Sequence, residues 1–556
     1  MDGGTHAPQP HLTISTHMKR SHFLTISAAV FTLLSVNVSA QTPLNNGISV
    51  RDAVNKSRLV HYTIQVPENA EGLEVSLANV KPDQDTDLYI RKDGKPTRDH
   101  WDFRPFVQGA NELVTIDANS DPKLVPGATY HIAVGSQLDK KAEYSLRAAF
   151  ILPNSDGGTP SATRRYRITW VNDPATTATV AWEQISGEAG TVYYDTQDHG
   201  TDASKYTFKK SVDREIKHFD MRNCFVRLEK LQPDTKYYFV IQDQSGTSNR
   251  YYFQTAATEQ KPFSFCAGGD SRNFREPRQQ ANRLVSKLRP LFVAFTGDMI
   301  NQDISVEWHE WLDDWQQTIT HDGRIIPILP HRGNHERNGN STIYNLFDTT
   351  PDNYYALNFS RDLMRFYVLN SEISAGGEQL DWLQTDLRSH SSKTRHLVAG
   401  YHKPMRPVVA AKKEGTDEYD HWAPLFYLHG VDLVFESDSH AVKRTKPVRP
   451  FNGEGSTEGF IESSNDPKAT VYTGEGCWGA PLRAAQDLKP WIAAAGTFNS
   501  FDWTHVHKDR IELRTVKVSA KEAKVGQNTD ETPFNIPANL ELWEPESGTV
   551  LTVPGD

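Results

Sequence analysis

The chain has 556 residues, too many for one hydrophobic core, and this length predicts about three domains at roughly 150 residues each. A hydrophobic fraction of 37% with 25 Phe, 20 Tyr and 12 Trp excludes a disordered chain, and a net charge of −10 argues against a nucleic-acid-binding surface. The three cysteines, Cys224, Cys266 and Cys477, are too few and too far apart for a disulfide framework, so at most one bridge is possible.

Residues 1–40 have the pattern of an export signal whose true start is Met18. The basic pair Lys19-Arg20 precedes a mostly apolar stretch, residues 23–36, and the small residues that follow suit cleavage after Ala40. No later segment approaches the ~20 apolar residues that a membrane span requires. We therefore expect an exported protein, periplasmic or secreted, with an uncleaved N-terminal anchor as the alternative.

Residues 41–153 predict a small β-sandwich, because short apolar stretches alternate with turns. These stretches are residues 59–66, 73–77, 88–90, 129–134 and 144–150. The segments 85–90, 101–105 and 130–134 resemble the bacterial pre-peptidase C-terminal domain. This resemblance implies a secreted, non-catalytic β-domain whose binding partner the sequence does not identify. Residues 154–161 are rich in Gly, Ser and Pro and predict a flexible linker.

Residues 164–257 predict a second β-unit. Strand-like segments occur at 166–170 and 178–182, a turn lies within 231–238, and the unit closes with the aromatic run 251–253. These features resemble the fibronectin-type-III-like domain that precedes the catalytic domain of purple acid phosphatases. The resemblance implies a scaffold rather than a catalytic role.

Residues 258–516 mix strands with predicted helices at 278–288, 306–318 and 378–389, and residues 517–556 form a polar C-terminal extension with a predicted strand at 540–543. Five short apolar runs in this region predict buried strands, and ligands of open α/β sheets gather just past the carboxyl ends of such strands. The runs are 263–267 before Asp270 and Arg272, 291–296 before Asp298, 325–329 before Asn334, His335 and Glu336, 396–400 before His402, and 431–435 before Asp438 and His440.

The residues at these strand ends supply the ligands of a two-metal site. Two ions about 3.5–4 Å apart need a bridging carboxylate, oxygen ligands and imidazoles, with positions left for water and a phosphate oxygen. We assign Asp270 and His440 to one ion, and Asn334 and His402 to the other. Asp298 follows a Gly and would bridge both ions. Any one of these residues alone would be an ordinary turn residue, but several ordered blocks behind apolar strands favour the metal site.

Order and spacing of these blocks resemble the calcineurin-like metallophosphoesterases, and with the preceding β-unit the chain is similar to purple-acid-phosphatase-like enzymes over about 164–516. The resemblance implies a four-layer αββα domain, two ions among Fe, Mn, Zn and Mg, and attack of a metal-bound hydroxide on a phosphate ester. His335 matches the histidine that faces the leaving group, as general acid or electrostatic stabiliser. Glu336 either orients His335 through a hydrogen bond or is a structural surface carboxylate.

Two departures from the family pattern concern ligands. Purple acid phosphatases have a tyrosinate three residues after the bridging aspartate, where this chain has Asn301, so we expect no purple colour. Asn301 would offer the first ion a neutral oxygen instead. Asp438 replaces an imidazole of the family's Gly-His-x-His block, and its hard oxygen would favour Mn, Fe or Mg over Zn. The alternative is that the shorter side chain of Asp438 does not reach the ion.

A third departure is Arg272, at a position that several branches of the superfamily fill with His. A guanidinium cannot bind a cation. It either receives a substrate phosphate or carboxylate, or pairs with Asp270 or another ligand carboxylate.

Two further segments near the predicted ligands have open interpretations. The polar residues 412–418 indicate a mobile rim of the site or a surface loop, and Trp478 either stacks on an aromatic leaving group or packs in the core.

The sequence thus predicts a multidomain protein with two β-sandwich domains followed by an α/β (αββα sandwich) metallophosphoesterase domain. The expected activity is hydrolysis of phosphate monoesters of phosphorylated small molecules. A phosphodiesterase with the same metal centre is the first alternative. The second is a secreted binding protein whose phosphatase scaffold does not turn over substrate.

Overall fold

The structure, a computed structural model, describes residues 41–555 except 81–83, 106–111, 119 and 153–158. The predicted export signal and most of the predicted linker lie outside the described residues. Within the described part, no helix combines the length and the apolar composition needed to cross a membrane.

The first unit is a sandwich of two four-stranded sheets, ordered β1-β3-β7-β5 and β2-β8-β4-β6. Inward side chains of both sheets, such as Leu73, Leu88, Ile132 and Leu146, form one hydrophobic core. Its strands are β1 (Thr42–Pro43), β2 (Val50–Val54), β3 (Val60–Gln65), β4 (Gly72–Asn79), β5 (Thr86–Arg91), β6 (Glu112–Asp117), β7 (Thr129–Ser136) and β8 (Ala142–Ile151).

The second unit also has two facing sheets, β13-β14-β10-β9 and β12-β11-β15-β16. Its first sheet continues into the catalytic unit, because Thr169 of β9 pairs in parallel with Ile328. The strands are β9 (Thr163–Thr169), β10 (Ala178–Gln184), β11 (Thr191–Asp195), β12 (Phe208–Lys210), β13 (Arg214–His218), β14 (Met221–Leu228), β15 (Lys236–Gln242) and β16 (Tyr251–Gln254).

The third unit contains two mixed sheets. The strands of the first are β17 (Phe263–Gly268), β18 (Val293–Phe295), β19 (Ile328–Pro330), β29 (Ser500–Val506), β30 (Arg510–Lys517) and β31 (Val550–Pro554), in the order β19-β18-β17-β29-β30-β31. Those of the second are β20 (Tyr355–Phe359), β21 (Met364–Val368), β22 (His396–Gly400), β23 (Leu433–Glu436), β24 (Val442–Thr445), β27 (Val471–Gly474) and β28 (Ile492–Gly496), in the order β20-β21-β22-β23-β27-β24-β28. A small ribbon joins β25 (Val448–Pro450) to β26 (Phe460–Glu462).

Helices cover the outer faces of both sheets. The helices α1 (Arg275–Leu288), α2 (Ser305–Trp315) and α3 (Asn340–Phe347) share a core with the first sheet, while α4 (Gly377–His390) and α5 (Thr416–His429) share one with the second. Between the sheets, aromatic side chains such as Phe265, Phe292, Phe366 and Phe435 form a third core. This is the αββα arrangement, so the predicted fold class is confirmed.

The structure differs from the sequence predictions in three elements. Residues 540–543 do not form a strand, since Leu542 makes only an isolated bridge to Val516, and the last strand is β31, which pairs with β30. Residues 412–418, predicted as a rim or surface loop, contain the start of α5. Helix α3 was not predicted. All three cysteines are buried and free.

Candidate metal centre

The predicted ligands come together because five strands end at the same edge of the two sheets. Asp270 follows β17, Asp298 follows β18 and Asn334 lies beyond β19, while His402 follows β22 and both Asp438 and His440 follow β23. The strands β17, β18 and β19 run parallel, as do β22 and β23, so their carboxyl ends point in one direction.

Two groups of ligand atoms share one carboxylate. Asp270, Asp298 and His440 form the first group and Asp298, His402 and Asp438 the second, with the ligand atoms of each group within 4.8 Å of one another. Asp298 belongs to both groups, which is the position of a bridging ligand.

Distances within the groups are those of side chains that converge on a common point. His440 Nε2 lies 3.0 Å from Asp270 Oδ1, and His402 Nε2 lies 3.4 Å from Asp298 Oδ1 and 3.7 Å from Asp438 Oδ1. The amide oxygen of Asn334 lies 3.1 Å from His402 Nε2, so Asn334 belongs with the second group.

In its neutral form, each ligand histidine presents the lone pair of Nε2 to the centre. The Nδ1–H of His402 donates to the Thr296 carbonyl at 2.9 Å, and that of His440 donates to the Pro481 carbonyl at 2.7 Å. A carbonyl only accepts, so the proton of each neutral ring is on Nδ1 and the lone pair is on Nε2. Ligand imidazoles in metalloproteins are oriented by hydrogen bonds of this kind.

Buried oxygens without donors also fit bound cations. Asp270 Oδ1 and Asp298 Oδ2 are completely buried and have no hydrogen-bond donor among the described residues. Asp270 Oδ1 faces His440 Nε2 at 3.0 Å, so a cation bound between these two atoms would meet both the carboxylate and the lone pair of the neutral ring. A buried carboxylate without such compensation is costly. The residues therefore fit two metal ions, held mainly by oxygen with one imidazole each.

The carboxylates perturb the ionisation of their neighbours. Burial lowers the pKa of His402, but the carboxylates of Asp298 and Asp270 outweigh it and raise the pKa to about 9. Burial would raise the pKa of Asp270, yet contact with His440 lowers it to about 2. Burial and the charge of Asp270 raise the pKa of Asp298. The raised pKa values of His402 and Asp298 show an excess of negative charge, which bound cations would neutralise.

Four ligand-bearing residues adopt left-handed backbone conformations. The φ angles are 55° at Asp270, 55° at Asp298, 66° at Asp438 and 59° at His440. Non-glycine residues adopt this region rarely and at a cost, and such residues cluster at functional sites. Next to them, Gly333 has no room for a side chain, because a Cβ there would lie 2.4 Å from Asp298 N.

Glu336 is a structural carboxylate, but it is buried rather than at the surface. It is completely buried, and its carboxylate accepts the backbone N–H groups of Asp298 (3.1 Å), Met299 (2.8 Å) and Gly333 (2.6 Å). The prediction that Glu336 orients His335 is therefore wrong. The alternative, a structural surface carboxylate, is confirmed in its structural role and wrong in its surface position. Burial and the charge of Asp298 raise the pKa of Glu336 to about 8. Glu336 fixes the turn that carries the bridging residue.

His335 lies beside the centre with one nitrogen fixed. Its Nδ1–H donates to the Asn301 carbonyl at 2.6 Å, and its backbone N–H donates to Asp298 Oδ1 at 2.9 Å. Its Nε2 lies 3.8 Å from Asp298 Oδ2. The ring therefore presents Nε2 to the space above the bridging carboxylate.

Arg272 pairs with a ligand carboxylate, one of the two predicted alternatives. Its Nε lies 3.3 Å from Asp298 Oδ2, and its Nη2 lies 3.2 Å from His440 Nε2. Its Nη1 donates to Asn301 Oδ1 at 2.9 Å. The amide oxygen of Asn301 is thus engaged by a guanidinium, and its service as a metal ligand stays a prediction.

Sequence reasoning missed Lys412, whose ammonium group contacts the carboxylate of Asp438. The two residues are 26 positions apart, and a lysine in a polar segment gives no local signal of this contact. Trp478, in turn, is completely buried: it packs against Phe501 and donates from Nε1 to Asn282 Oδ1 at 2.9 Å. Stacking of Trp478 on a leaving group is therefore wrong.

A buried ion triad that was also missed supports both loops of the second sheet. Lys443 Nζ lies 2.6 Å from both Glu436 Oε2 and Glu475 Oε1, and all three side chains are inaccessible to solvent. Glu436 accepts the hydroxyl of Tyr401, next to His402, at 2.7 Å, and the Glu475 carbonyl accepts His440 N–H at 2.7 Å. The triad thus connects the two ligand histidines.

Comparison with known proteins agrees with this geometry. Residues 163–255 match the family described as purple acid phosphatase, N-terminal domain, and residues 269–442 match calcineurin-like phosphoesterase. An uncharacterized protein of Mycobacterium tuberculosis is 26% identical over 277 residues, which cover 41% of this chain and 52% of that protein, so the chain spans about half the length of this relative. Purple acid phosphatase 18 of Arabidopsis thaliana is 22% identical over 343 residues, 55% of this chain and 71% of that protein.

Among solved structures, a purple acid phosphatase from yellow lupin (Lupinus luteus) seeds matches with a TM-score of 0.58 at 14% identity, covering 83% of this chain and 94% of that one. This identity supports the fold alone. The two family matches and the shared fold lead to one conclusion: the chain contains a purple acid phosphatase N-terminal domain followed by a calcineurin-like phosphoesterase domain.

Proposed function

We propose that the chain is a phosphoric ester hydrolase that uses two metal ions and acts on phosphate monoesters of small molecules. The observation that carries this proposal is the pair of ligand groups that share Asp298. A lone carboxylate cluster would fit many roles, whereas two groups joined by one bridging residue fit a dinuclear centre.

The positive side chains around the centre support a monoester substrate. A monoester dianion carries more charge than a diester, so its recognition needs cations beyond the metal ions. Arg272 lies beside the first ligand group and Lys412 beside the second. Both would supply positive charge to the nonbridging oxygens of a bound phosphate. A diester, with one negative charge, needs fewer such groups and is the second candidate.

Ions bound at such a centre activate water and neutralise the charge of the transferring phosphoryl group. The protein's own proton carrier is His335. Because Nδ1 is held by the Asn301 carbonyl, Nε2 is the atom that can give a proton to the oxygen of the leaving group. Glu336 accepts two backbone N–H groups of the turn of Asp298 and one of its own loop, which keeps the bridging carboxylate in position.

The test combines metal analysis with turnover. Wild-type protein, Asp298→Ala and the control Asp381→Ala, an exposed carboxylate on α4, are compared for metal content and for hydrolysis of p-nitrophenyl phosphate and bis-p-nitrophenyl phosphate. We expect two ions per chain and turnover of the monoester in wild type and control, and loss of both in Asp298→Ala. Two bound ions without turnover would support the binding-protein alternative. Faster hydrolysis of the diester than of the monoester would mean that the protein is a phosphodiesterase.

We also propose that the protein is exported. Support comes from the basic pair, the apolar stretch and the small residues at the end of the segment 1–40. Mass spectrometry of protein from the periplasm or medium should find a mature chain that begins at Gln41. A chain that keeps residues 23–36 and sediments with membranes would favour the anchor instead.

A further inference from the structure

A cavity of about 700 Å³ lies between the first β-sandwich and the catalytic unit. Ser49, Arg51 and Glu143 line it from the sandwich, and Asn273, Phe274 and Asn301 line it from the loops after β17 and β18. Its volume is typical of sites that hold a small organic ligand.

The cavity begins one side chain away from the metal centre. Arg272 donates from Nη1 to both Asn273 Oδ1 (3.0 Å) and Asn301 Oδ1 (2.9 Å), and these two asparagines are cavity walls. The same guanidinium lies 3.3 Å from Asp298 Oδ2. Arg272 is therefore the side chain that joins the wall of the cavity to the bridging carboxylate.

The wall from the first sandwich is held firmly against the catalytic unit. Arg51 donates to Glu310 through Nε at 3.1 Å and Nη2 at 3.0 Å, and the Ser49 carbonyl accepts from Arg275 Nη1 at 2.9 Å. Glu310 is 4% exposed, so this bidentate pair is anchored on a buried carboxylate. The sandwich is thus a fixed wall rather than a tethered module.

Arg51 also reaches the loop of the metal centre. It lies 3.5 Å from Glu307, and Glu307 Oε2 accepts the backbone N–H groups of Asn301 at 2.6 Å and Gln302 at 3.0 Å. The loop that holds Arg272 and His335 in place is therefore connected to the first sandwich through two charged side chains.

Phe274 is the large apolar group on the cavity wall. It is 53% exposed, and its backbone N–H is held by the carbonyls of Arg272 and Gly479. A half-exposed phenylalanine in a rigid loop, two positions from Arg272, offers a ring face that a flat ligand would cover.

We propose that this cavity binds the leaving group of the substrate and selects leaving groups with a flat aromatic ring, which stack on Phe274 while the first sandwich closes the opposite side. This inference rests on the proposed hydrolysis of phosphate esters. It gives the first sandwich a role in substrate choice, with Phe274 and Ser49 as specificity residues on opposite walls.

The experiment compares kcat/KM for 2-naphthyl phosphate and glycerol 2-phosphate in the full-length, metal-loaded protein. Phe274→Ala removes the ring, Ser49→Trp fills the cavity from the sandwich side, and Phe208→Ala removes an equally exposed phenylalanine on β12, outside the cavity. The intrinsic reactivities of the two esters cancel when the ratio of each variant is divided by that of the wild type.

We expect this ratio to fall roughly tenfold in Phe274→Ala, a size typical of lost stacking, to fall also in Ser49→Trp, and to stay at the wild-type value in Phe208→Ala. Wild-type ratios in both cavity variants, with turnover intact, would overturn the inference and leave the proposed function standing. A binding measurement that monitors the fluorescence of 2-naphthyl phosphate distinguishes failure of this inference from failure of the proposed function. If the wild type hydrolyses neither ester, the proposed function fails, and equal affinities of wild type and Phe274→Ala would still overturn this inference.

Discussion

At the scale of single residues, Lys412 and Arg272 place one positive side chain beside each ligand group, although only Arg272 follows a recognisable strand-end block. Lys412 belongs to the segment before α5 and contacts Asp438, the residue that replaces an imidazole of the family pattern. The extra negative charge of an aspartate at this position is thus balanced by a nearby ammonium group.

Lys412→Met should separate monoester from diester turnover. Loss of the ammonium removes a partner for the second negative charge of a monoester, so kcat/KM for p-nitrophenyl phosphate should fall about tenfold, with a smaller fall for the diester. Lys413→Met is the matched control, because Lys413 is the exposed neighbour. An equal fall for both esters would mean that Lys412 acts only by orienting Asp438.

Residues of the site could be predicted from the sequence when they stand directly behind an apolar strand. Asp270, Asp298 and His440 are of this kind, because a strand end and its turn are local features. The hydrogen-bond partners of Glu336 could not be predicted, since all three are backbone N–H groups on two loops. The burial of Trp478 depends on packing against Phe501, which no local pattern shows.

At the scale of elements, two glycines of the loops behind the strands differ in why the structure requires them: one by its backbone conformation alone, the other also by the lack of space for a side chain. Gly476 and Gly339 both have positive φ angles, 77° and 85°, but their surroundings differ. A Cβ on Gly476 would lie 1.8 Å from Asp270 Oδ2, whereas one on Gly339 would meet nothing within 4 Å. The pair therefore separates backbone strain from displacement of a ligand.

Gly476→Ala should displace the Asp270 carboxylate and release the ion of the first group, with loss of turnover. Gly339→Ala carries only the cost of a side chain in the left-handed region, ~1 kcal/mol of unfolding free energy, and should keep both ions. Metal analysis after dialysis gives the comparison. Equal metal content in the two variants would show that Asp270 does not hold an ion.

Helices and strands were predictable where a pattern is strong and long. The predicted helix 278–288 lies within α1 and 378–389 within α4, both amphipathic elements. Helix α5 escaped prediction because Pro424 lies inside it, and an internal proline normally indicates a helix end. Strand β31 is five residues long and, among the strands that the structure describes, pairs only with β30, so its place depends on a tertiary contact.

At the scale of the whole molecule, the order of the units could be predicted, but their junction could not. At the junction of the second unit with α2, Arg165 binds Asp313 of α2 through Nε at 2.8 Å and Glu183 of its own unit through Nη1 at 2.7 Å. These partners lie up to 148 positions apart, so neither propensity nor motif indicates them.

From the ion pairs at this junction we expect the unfolding free energy to fall in acid. Burial would raise the pKa of Glu183, but Arg165 and Arg164 lower it to about 2, against an ordinary value of 4.5. A depressed carboxyl pKa stabilises the fold above the unfolded-state value, and this contribution is lost as the pH falls from about 4.5 through about 2. Glu183→Gln should lower the unfolding free energy at pH 7 by about 3 kcal/mol and flatten its fall between pH 5 and pH 3.

Urea denaturation at pH 7, 5 and 3 measures this effect. Glu215→Gln is the control, because Glu215 pairs with Arg222 at the surface, where an ion pair contributes under about 1 kcal/mol. A Glu183→Gln protein with wild-type pH dependence would contradict the assignment of the acid-sensitive step to this junction.

Four of the ligand-bearing residues hold left-handed backbone conformations around carboxylates that repel one another. The metal-free fold is therefore destabilised, and bound cations would raise its free energy of unfolding. Metal binding and folding are thus thermodynamically linked. Stripping the protein with a chelator should lower the midpoint of thermal unfolding, and titration with Mn²⁺ should raise it in proportion to the logarithm of free metal concentration. When the free metal concentration is a hundred times the dissociation constant, binding of each ion would add about 2.7 kcal/mol to the free energy of unfolding. A midpoint indifferent to metal would mean that these conformations are sustained by the surrounding packing.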